Sequence, residues 1–203
     1  MAKEEVDIML SFIRDAGIDL GNLRVLDFFA KDGYNLTRHY APYVKHVTSW
    51  EIDERHKEVL VSNLPLNSSV VIGDSYELCK QSNDRFDVIV FDNPLACYGE
   101  GDKYCEHFDC IELINDILNQ DGIVAFNVKL KPYSYESNFK WQSRRNHFYN
   151  VKDSSNLELR FVEGHYSDLL KNMGYSVKCM RSIERKQEKS LYMIVAILEG
   201  NQQ

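Results

Sequence analysis

The sequence has few of the residues that mark fibrous, disulfide-bonded or membrane-spanning proteins. Its 203 residues include only 4 Pro and 10 Gly, too few for a collagen-like or low-complexity chain. Five Cys form an odd, scattered set, which predicts reduced thiols rather than a disulfide framework. No apolar run approaches the roughly 18 residues that a membrane helix needs. We therefore predict a globular, cytoplasmic protein that does not contact a membrane.

The first residues and the distribution of charge limit the function classes further. The segment MAKEEVDIMLSFIRDAG is amphipathic and rich in acids, unlike a signal or transit peptide. The net charge is −7, but residues 1–128 hold 23 acidic and 11 basic side chains, whereas residues 129–203 hold 8 acidic and 13 basic ones. The acidic first part disfavours broad nucleic-acid coating, because such binding needs a positive field. The basic last part could present one local anion-binding face.

Short apolar runs alternate with segments of helical periodicity. After a helix within residues 1–22, the runs predict strands at 24–30, 46–52, 70–72, 86–91 and 122–128. The segments between them predict helices at 33–43, 54–63, 75–80 and 104–119. Continuous apolar strands that alternate with helices indicate a parallel sheet covered on both faces.

The end of the chain departs from this alternation. A helix around 165–173 precedes strands at 175–184 and 191–199, and the six residues between those strands are too few for a crossover helix. The last two strands are therefore predicted to be antiparallel neighbours. Residues 129–163 are polar, aromatic and basic, and we interpret them as a substrate-cap insertion within a single domain of residues 1–203.

Acidic residues follow three successive predicted strands. Asp27 precedes a turn in which Gly33 opens a helix, an arrangement that lets backbone N–H groups approach a polar ligand. Glu51 ends the second strand, where a carboxylate could accept hydrogen bonds from ribose hydroxyls. Asp74 could accept from an adenine amino group. Each acid could instead cap a turn or helix, although near Glu51 the neighbouring Asp53 is better suited to be the cap. Three acids after three successive strands are a more specific pattern than any one of them.

The segments LDFFAKDG, WEID, GDS and FDVIVFDNP stand in the order typical of class I (Rossmann-like) S-adenosylmethionine-dependent methyltransferases. The terminal hairpin is similar to that family's seventh-strand arrangement, and the resemblance extends from about Leu23 to Glu199. It implies an α/β fold with a seven-stranded, mostly parallel sheet, an antiparallel C-terminal hairpin and helices on both faces. It also implies that the cofactor is S-adenosylmethionine.

The resemblance also implies site residues. Those expected to bind the cofactor come from the ends of four strands and are Asp27, Phe29, Ala30, Gly33, Glu51, Ile52, Asp74, Ser75 and Asp92. Asp92 and Asn93 would face the transferred methyl group, with Asp92 as a general base or as the holder of an acceptor amine. The acceptor would contact Pro94, Tyr98, Asn127 and Arg145.

Two of these acceptor-side assignments have alternatives. Asp92 and Asn127 could share a divalent metal, but no third ligand is evident, so no metal is predicted. The stretch 141–150 could form a lid in which Arg145 recognises a carboxylate or phosphate. It could instead be an amphipathic helix that packs on the sheet with its basic face in water, and the sequence slightly favours this interpretation.

Departures from the family pattern affect the predicted activity. Phe29 and Lys31 replace the first two glycines of the family's turn, and Lys31 could pair with the cofactor's carboxylate or point to solvent. Asn93 and Leu95 replace a proline and an aromatic residue found in many amino-methyltransferases. This makes a nucleic-acid base a less favoured acceptor. We predict N- or O-methylation of a small-molecule acceptor, which the basic cap segment would allow to be anionic.

The sequence is compatible with two other functions. The first is a nucleic-acid base N-methyltransferase, and the second is a catalytically inactive subunit that binds S-adenosylmethionine. NAD is disfavoured as a cofactor, because its pyrophosphate must approach the backbone closely and this turn contains a single glycine. The oligomeric state is not predicted.

Overall fold

The computed structural model describes residues 2–131, 138–186 and 188–200. Its α-helices are α1 (Ala2–Asp15), α2 (Thr37–Tyr40), α3 (Lys57–Asn63), α4 (Ser75–Gln81), α5 (Ile114–Ile117), α6 (Phe139–Phe148) and α7 (Leu159–Asn172). Its strands are β1 (Arg24–Asp27), β2 (His46–Glu51), β3 (Ser68–Ile72), β4 (Phe86–Phe91), β5 (Cys97–Tyr98), β6 (Tyr104–Cys105), β7 (Leu118–Lys129), β8 (Tyr175–Glu184) and β9 (Leu191–Gly200).

Seven strands form one sheet in the order β3-β2-β1-β4-β7-β9-β8. The neighbours from β3 to β7 are parallel, whereas β9 pairs antiparallel with both β7 and β8. The predicted mostly parallel sheet with an antiparallel terminal hairpin is therefore confirmed. The order reverses between β1 and β4, which are adjacent although two strands separate them in the chain. Ligands of such sheets bind beyond the carboxyl ends of the strands at this reversal.

Apolar side chains on both faces of the sheet explain why its strands are continuous hydrophobic runs. In β4, Val88 and Val90 pack on one face with α1 and α2, while Ile89 and Phe91 pack on the other with α4, α5 and α7. All four residues are at most 3% exposed. Burying both faces of a strand favours apolar residues at every position rather than at alternate ones.

The predicted helix at 104–119 is wrong for most of its length. Tyr104 and Cys105 pair antiparallel with Cys97 and Tyr98 in a separate two-stranded ribbon. Glu106 adopts a left-handed conformation with φ of 47°, which no regular helix accommodates. Only a 3-10 turn at Ile111–Leu113 and the short α5 are helical, and β7 begins at Leu118. The apolar residues that suggested one helix are buried by a chain that turns back on itself.

Several other elements are shorter than predicted. The first strand ends at Asp27 rather than at residue 30, and the helix predicted at 33–43 is reduced to α2 and a 3-10 turn at Ala41–Tyr43. The helix predicted within 1–22 is α1, which ends before Gly17 with its φ of 84°. None of the described helices is both long and apolar enough to cross a bilayer.

Candidate functional site

A cavity of about 930 Å³ lies at the carboxyl ends of the parallel strands. The turn after β1, the ends of β2 and β4, the start of α4 and the β5–β6 ribbon all contribute to its wall. Of the predicted site residues, ten line this cavity: Phe29, Ala30, Gly33, Glu51, Ile52, Asp74, Ser75, Asp92, Pro94 and Tyr98. Of the three acids that the sequence singled out after successive strands, Glu51 and Asp74 line this cavity and Asp27 does not. Asp92, which the family resemblance implied, lines it as well.

The turn after β1 is held close to α3 and α4. Gly33 has a φ of 67°, and a Cβ atom there would lie 2.8 Å from a methyl carbon of Leu60, so a larger residue would be both strained and crowded. Ser75 at the start of α4 donates its hydroxyl hydrogen to the carbonyl of Phe28, 2.8 Å away. These contacts fix Phe29 and Ala30 at the cavity wall.

Asp27 lies beneath this turn rather than on the cavity wall. Its side chain is buried, with Thr37 donating to Oδ2, while none of the described residues forms a hydrogen bond with Oδ1. Burial raises the pKa of Asp27 to about 7, although the hydrogen bond from Thr37 acts in the opposite direction. The geometry therefore supports a role in holding the turn, since Asp27 is not among the residues that line the cavity.

Glu51 joins two loops at the edge of the cavity. Its Oε2 accepts from the backbone N–H of Lys31 at 2.6 Å, and its Oε1 accepts from that of Asp53 at 2.8 Å. The side chain is mostly buried, whereas those of Lys31 and the neighbouring Ile52 are exposed. The carboxylate is thus immobilised by backbone donors and still faces the cavity.

Asp74 caps α4, as one of its two interpretations predicted. Its Oδ1 accepts from the backbone N–H of Tyr76 at 2.9 Å, and its side chain also lines the cavity. The cap and a ligand contact are therefore compatible, because a carboxylate has several lone-pair sites.

Asp92 is anchored through one oxygen. Its Oδ1 accepts from Asn127 Nδ2 at 2.7 Å and from Arg185 at 2.9 Å, while none of the described residues donates to Oδ2. Arg185 also donates to Asn127 Oδ1 at 2.9 Å, so the oxygen that Asn127 would offer to a shared metal already accepts from a guanidinium. Sequence reasoning missed Arg185, because nothing in a polar turn sequence signals that one of its residues is buried.

Asn93 and Asn127 are placed behind the cavity wall. Asn93 Oδ1 accepts from the backbone N–H of Asn127 at 2.9 Å, and both side chains are at most 4% exposed. This pair ties the end of β4 to β7. The geometry therefore gives both asparagines a supporting position behind Asp92 instead of the direct contacts that were predicted.

Aromatic side chains from α4 and the β5–β6 ribbon form part of the cavity wall. Tyr104, which the sequence did not single out, stacks on Tyr76 with ring centroids 3.7 Å apart. Tyr98 donates its hydroxyl hydrogen to the carbonyl of Glu106 at 2.7 Å and lies edge-on to Phe29. The ribbon pairing of Tyr98 with Tyr104 brings these rings together, and that pairing was hidden by the wrong helix prediction.

Arg145 does not reach the cavity. It is fully buried, pairs with Glu106, and donates to the backbone carbonyl of Lys129. Trp141, one turn earlier in α6, donates its indole N–H to Glu106 at 2.9 Å. This arrangement supports the interpretation of α6 as a packed helix and opposes that of a lid with a ligand-binding Arg145. The rest of the predicted cap insertion includes residues 132–137, which lie outside the described residues.

At the level of sequence, neither the protein-family models nor the curated proteins give a match. Solved structures do match over nearly the whole chain. TYW2 of M. jannaschii in complex with AdoMet is 16% identical, with a TM-score of 0.54, and the match covers 95% of this chain and 75% of that one. Magnesium protoporphyrin IX methyltransferase (ChlM) of Synechocystis PCC 6803, with bound SAH, is 12% identical, with a TM-score of 0.58 and coverages of 96% and 82%.

A third solved structure extends the comparison. A Pyrococcus horikoshii protein, provisionally named an RNA methyltransferase, is 18% identical, with a TM-score of 0.57 and coverages of 98% and 83%. At such identities the likeness concerns the fold. The resemblance predicted from the sequence is thus confirmed in its architecture: the chain has the Rossmann-like fold of class I S-adenosylmethionine-dependent methyltransferases.

Proposed function

We propose that this protein is an S-adenosylmethionine-dependent methyltransferase that acts on a small-molecule acceptor. The observation that carries the proposal is the convergence of Glu51, Asp74 and Asp92 with the turn at Gly33 on one cavity at the sheet's reversal point. Two of the similar structures are named as complexes with AdoMet or SAH, which supports the same cofactor here.

The cavity suits the parts of this cofactor. The tight turn at Phe29, Ala30 and Gly33 would receive the methionine part, where backbone groups approach closely. Glu51, fixed by two backbone N–H groups, would accept hydrogen bonds from the ribose hydroxyls. Asp74 would accept from the adenine amino group, beside Ser75 at the start of α4.

The protein's own part in the reaction is mainly alignment. When bound, S-adenosylmethionine supplies a methyl group already activated by a sulfonium, so no strong activation by side chains is required. Asp92 would hold the acceptor through Oδ2, the oxygen that faces away from Arg185 and Asn127. For a hydroxyl or ammonium acceptor, the same oxygen would receive the departing proton. Phe29, Tyr98 and Tyr104 would exclude water from this side of the cavity.

The charges of the cavity favour a neutral or cationic acceptor. Its wall includes six carboxylates but only two lysines, Lys31 and Lys103; the carboxylates are Asp32, Glu51, Asp53, Asp74, Asp92 and Glu100. An anionic acceptor would meet like charges there. The one arginine that the sequence offered for an anionic group, Arg145, is buried in an ion pair with Glu106.

RNA is a second candidate acceptor. The name of the P. horikoshii protein favours it, whereas the acidic cavity wall opposes phosphate binding. The test is transfer of a labelled methyl group from S-adenosylmethionine to a panel of small amines and phenols, with unmodified tRNA transcripts in a parallel assay.

Label in the small molecules alone supports the proposal. Label in tRNA alone overturns the small-molecule assignment and leaves the methyl transfer itself in place. Binding of the cofactor without transfer to either panel would favour an inactive cofactor-binding subunit.

A further inference from the structure

Arg185 lies at the turn between β8 and β9, far in sequence from Asp92, and is 3% exposed. Its backbone N–H donates to the carbonyl of Leu191, which fixes the turn, and its side chain reaches behind the cavity wall. An arginine buried in this way is costly unless carboxylates match its charge. Burial removes water from the Arg185 guanidinium, and hydrogen bonds and opposite charges must offset the hydration free energy that is lost.

Two carboxylates supply that match. Arg185 donates from one nitrogen to Asp92 Oδ1 at 2.9 Å and from Nε to Glu5 of α1 at 3.3 Å. The second oxygen of Glu5 accepts from the backbone N–H of Lys186 at 2.7 Å. Glu5 is buried as well, so α1 takes part in an ion network that ends at the cavity.

Asp92, Asn127 and Arg185 form a closed triangle of hydrogen bonds. Asn127 donates to Asp92 through Nδ2 and accepts from Arg185 through Oδ1, which fixes the orientation of its amide. Both donors meet the same oxygen of Asp92, Oδ1. The carboxylate cannot rotate without losing both bonds, so Oδ2 stays directed away from the triangle. The Asp92 side chain is 23% exposed, at the cavity wall.

We propose that Arg185 is a positioning residue that holds Asp92 Oδ2 toward the methyl acceptor, with Glu5 as its counter-charge. The inference rests on the proposed function, since it assigns a task to Asp92 in that reaction. It adds a residue from the last hairpin and one from the first helix to a site otherwise built from the ends of β1–β4, the start of α4 and the β5–β6 ribbon.

The test uses two cofactor analogues and needs no identified acceptor. Sinefungin carries an amino-bearing carbon in place of the methylsulfonium, so its ammonium would lie where the methyl group is transferred, whereas S-adenosylhomocysteine has no group there. We expect wild type to bind sinefungin about tenfold more tightly than S-adenosylhomocysteine, the effect of one charge-assisted hydrogen bond. Asp92→Asn should abolish this preference.

The decisive variant is Arg185→Lys. Lysine keeps the positive charge but lacks the planar fork that bonds Asp92, Asn127 and Glu5 together. We expect the sinefungin preference to fall below about threefold while the affinity for S-adenosylhomocysteine stays within about twofold of wild type. In Arg185→Ala, millimolar methylguanidinium should restore the preference, which a purely structural role of Arg185 would not explain.

Lys186→Ala is the matched control, because Lys186 is exposed, pairs with Glu4 and lies in the same turn. Like Arg185→Ala, it removes one positive charge, but it should keep the wild-type preference for sinefungin over S-adenosylhomocysteine. If both Arg185 variants keep the preference, the inference is overturned while the proposed function stands. If folded wild-type protein binds neither analogue, the proposed function fails, and this inference fails with it.

Discussion

The carboxylate of Glu51, the last residue of β2, accepts a hydrogen bond from the backbone N–H of Lys31, 2.6 Å away in the turn after β1. Lys31 has a φ of 51°, a left-handed conformation that costs a non-glycine residue on the order of 1 kcal/mol. A hydrogen bond to a charged acceptor is worth a similar amount. The contact therefore explains how this turn keeps its shape although lysine replaces a glycine of the family pattern.

Replacing Glu51 by Gln should weaken S-adenosylmethionine binding without unfolding the protein. One carboxylate oxygen becomes an amide donor, which faces the N–H of Lys31 or Asp53 and no longer accepts from ribose. We expect a loss of about 10- to 100-fold in affinity by calorimetry. Glu54→Gln, in an exposed side chain three residues later, is the control. Equal affinities of Glu51→Gln and wild type would contradict the ribose assignment.

Replacing Lys31 by Gly or Ala should leave cofactor affinity within about twofold of wild type, since both variants keep the backbone N–H that bonds Glu51. Glycine should also raise the free energy of unfolding by up to about 1 kcal/mol, because it relieves the left-handed strain. Binding isotherms and urea unfolding measure the two effects. A large loss of affinity in both variants would show instead that the Lys31 ammonium pairs with the cofactor's carboxylate.

Replacing Arg145 by Met should destabilise the protein by about 3 kcal/mol, because it leaves the fully buried Glu106 without its cation. Cofactor affinity should not change, since Arg145 lies outside the cavity wall. Arg144→Met is the matched control. Arg144 pairs with Asp109 in a partly exposed position and should contribute less than about 1 kcal/mol. Unaltered stability of Arg145→Met in urea would contradict the packed-helix interpretation.

Asp27 should make the protein less stable as the pH rises from about 4 to 7. Its pKa is raised by burial from 3.8 to about 7, so within this range the folded state holds a proton that the unfolded state has lost. The free energy of unfolding then falls with increasing pH, by at most roughly 1.4 kcal/mol per unit. Asp27→Asn removes this contribution and should gain stability relative to wild type as the pH rises.

The comparison with Asp27→Asn is necessary because His107 acts in the opposite direction. Burial and the neighbouring Arg145 lower the pKa of His107 to about 3, so its contribution to stability is lost as the pH falls below about 6.5. Both proteins contain His107, and the difference between their unfolding free energies cancels its effect. A difference that stays constant between pH 4 and 7 would contradict the raised pKa of Asp27.

The sequence was most informative where burial alone decides local structure. The run Phe86–Phe91 is a strand with the predicted bounds. All of its residues are apolar and buried except Asp87, which is half-buried. The acids after β2, β3 and β4 reach one cavity because the carboxyl ends of parallel strands share an edge. Local periodicity and strand order were sufficient for the strand and for Glu51 and Asp74, whereas Asp92 was implied by the family resemblance.

Long-range partners explain what the sequence could not predict. The helix expected at 104–119 gives way to a ribbon, since Tyr104 and Cys105 find strand partners in Cys97 and Tyr98. Both interpretations of 141–150 left Arg145 accessible, as a ligand-binding residue of a lid or on a basic face in water, yet it is buried and its charge is matched by Glu106, 39 positions earlier. Arg185 joins Asp92 over 93 positions. No pattern in a single sequence reveals which buried charge will meet which partner.

Calorimetric titration of folded, ligand-free wild-type protein with S-adenosylmethionine, S-adenosylhomocysteine and NAD tests the proposed cofactor most directly. We expect one site with affinities on the order of micromolar for the first two compounds and no detectable binding of NAD, because the turn after β1 offers a pyrophosphate a single glycine, Gly33. Absence of binding by both adenosyl compounds would contradict the assignment of the cavity and leave only the fold in common with the methyltransferases.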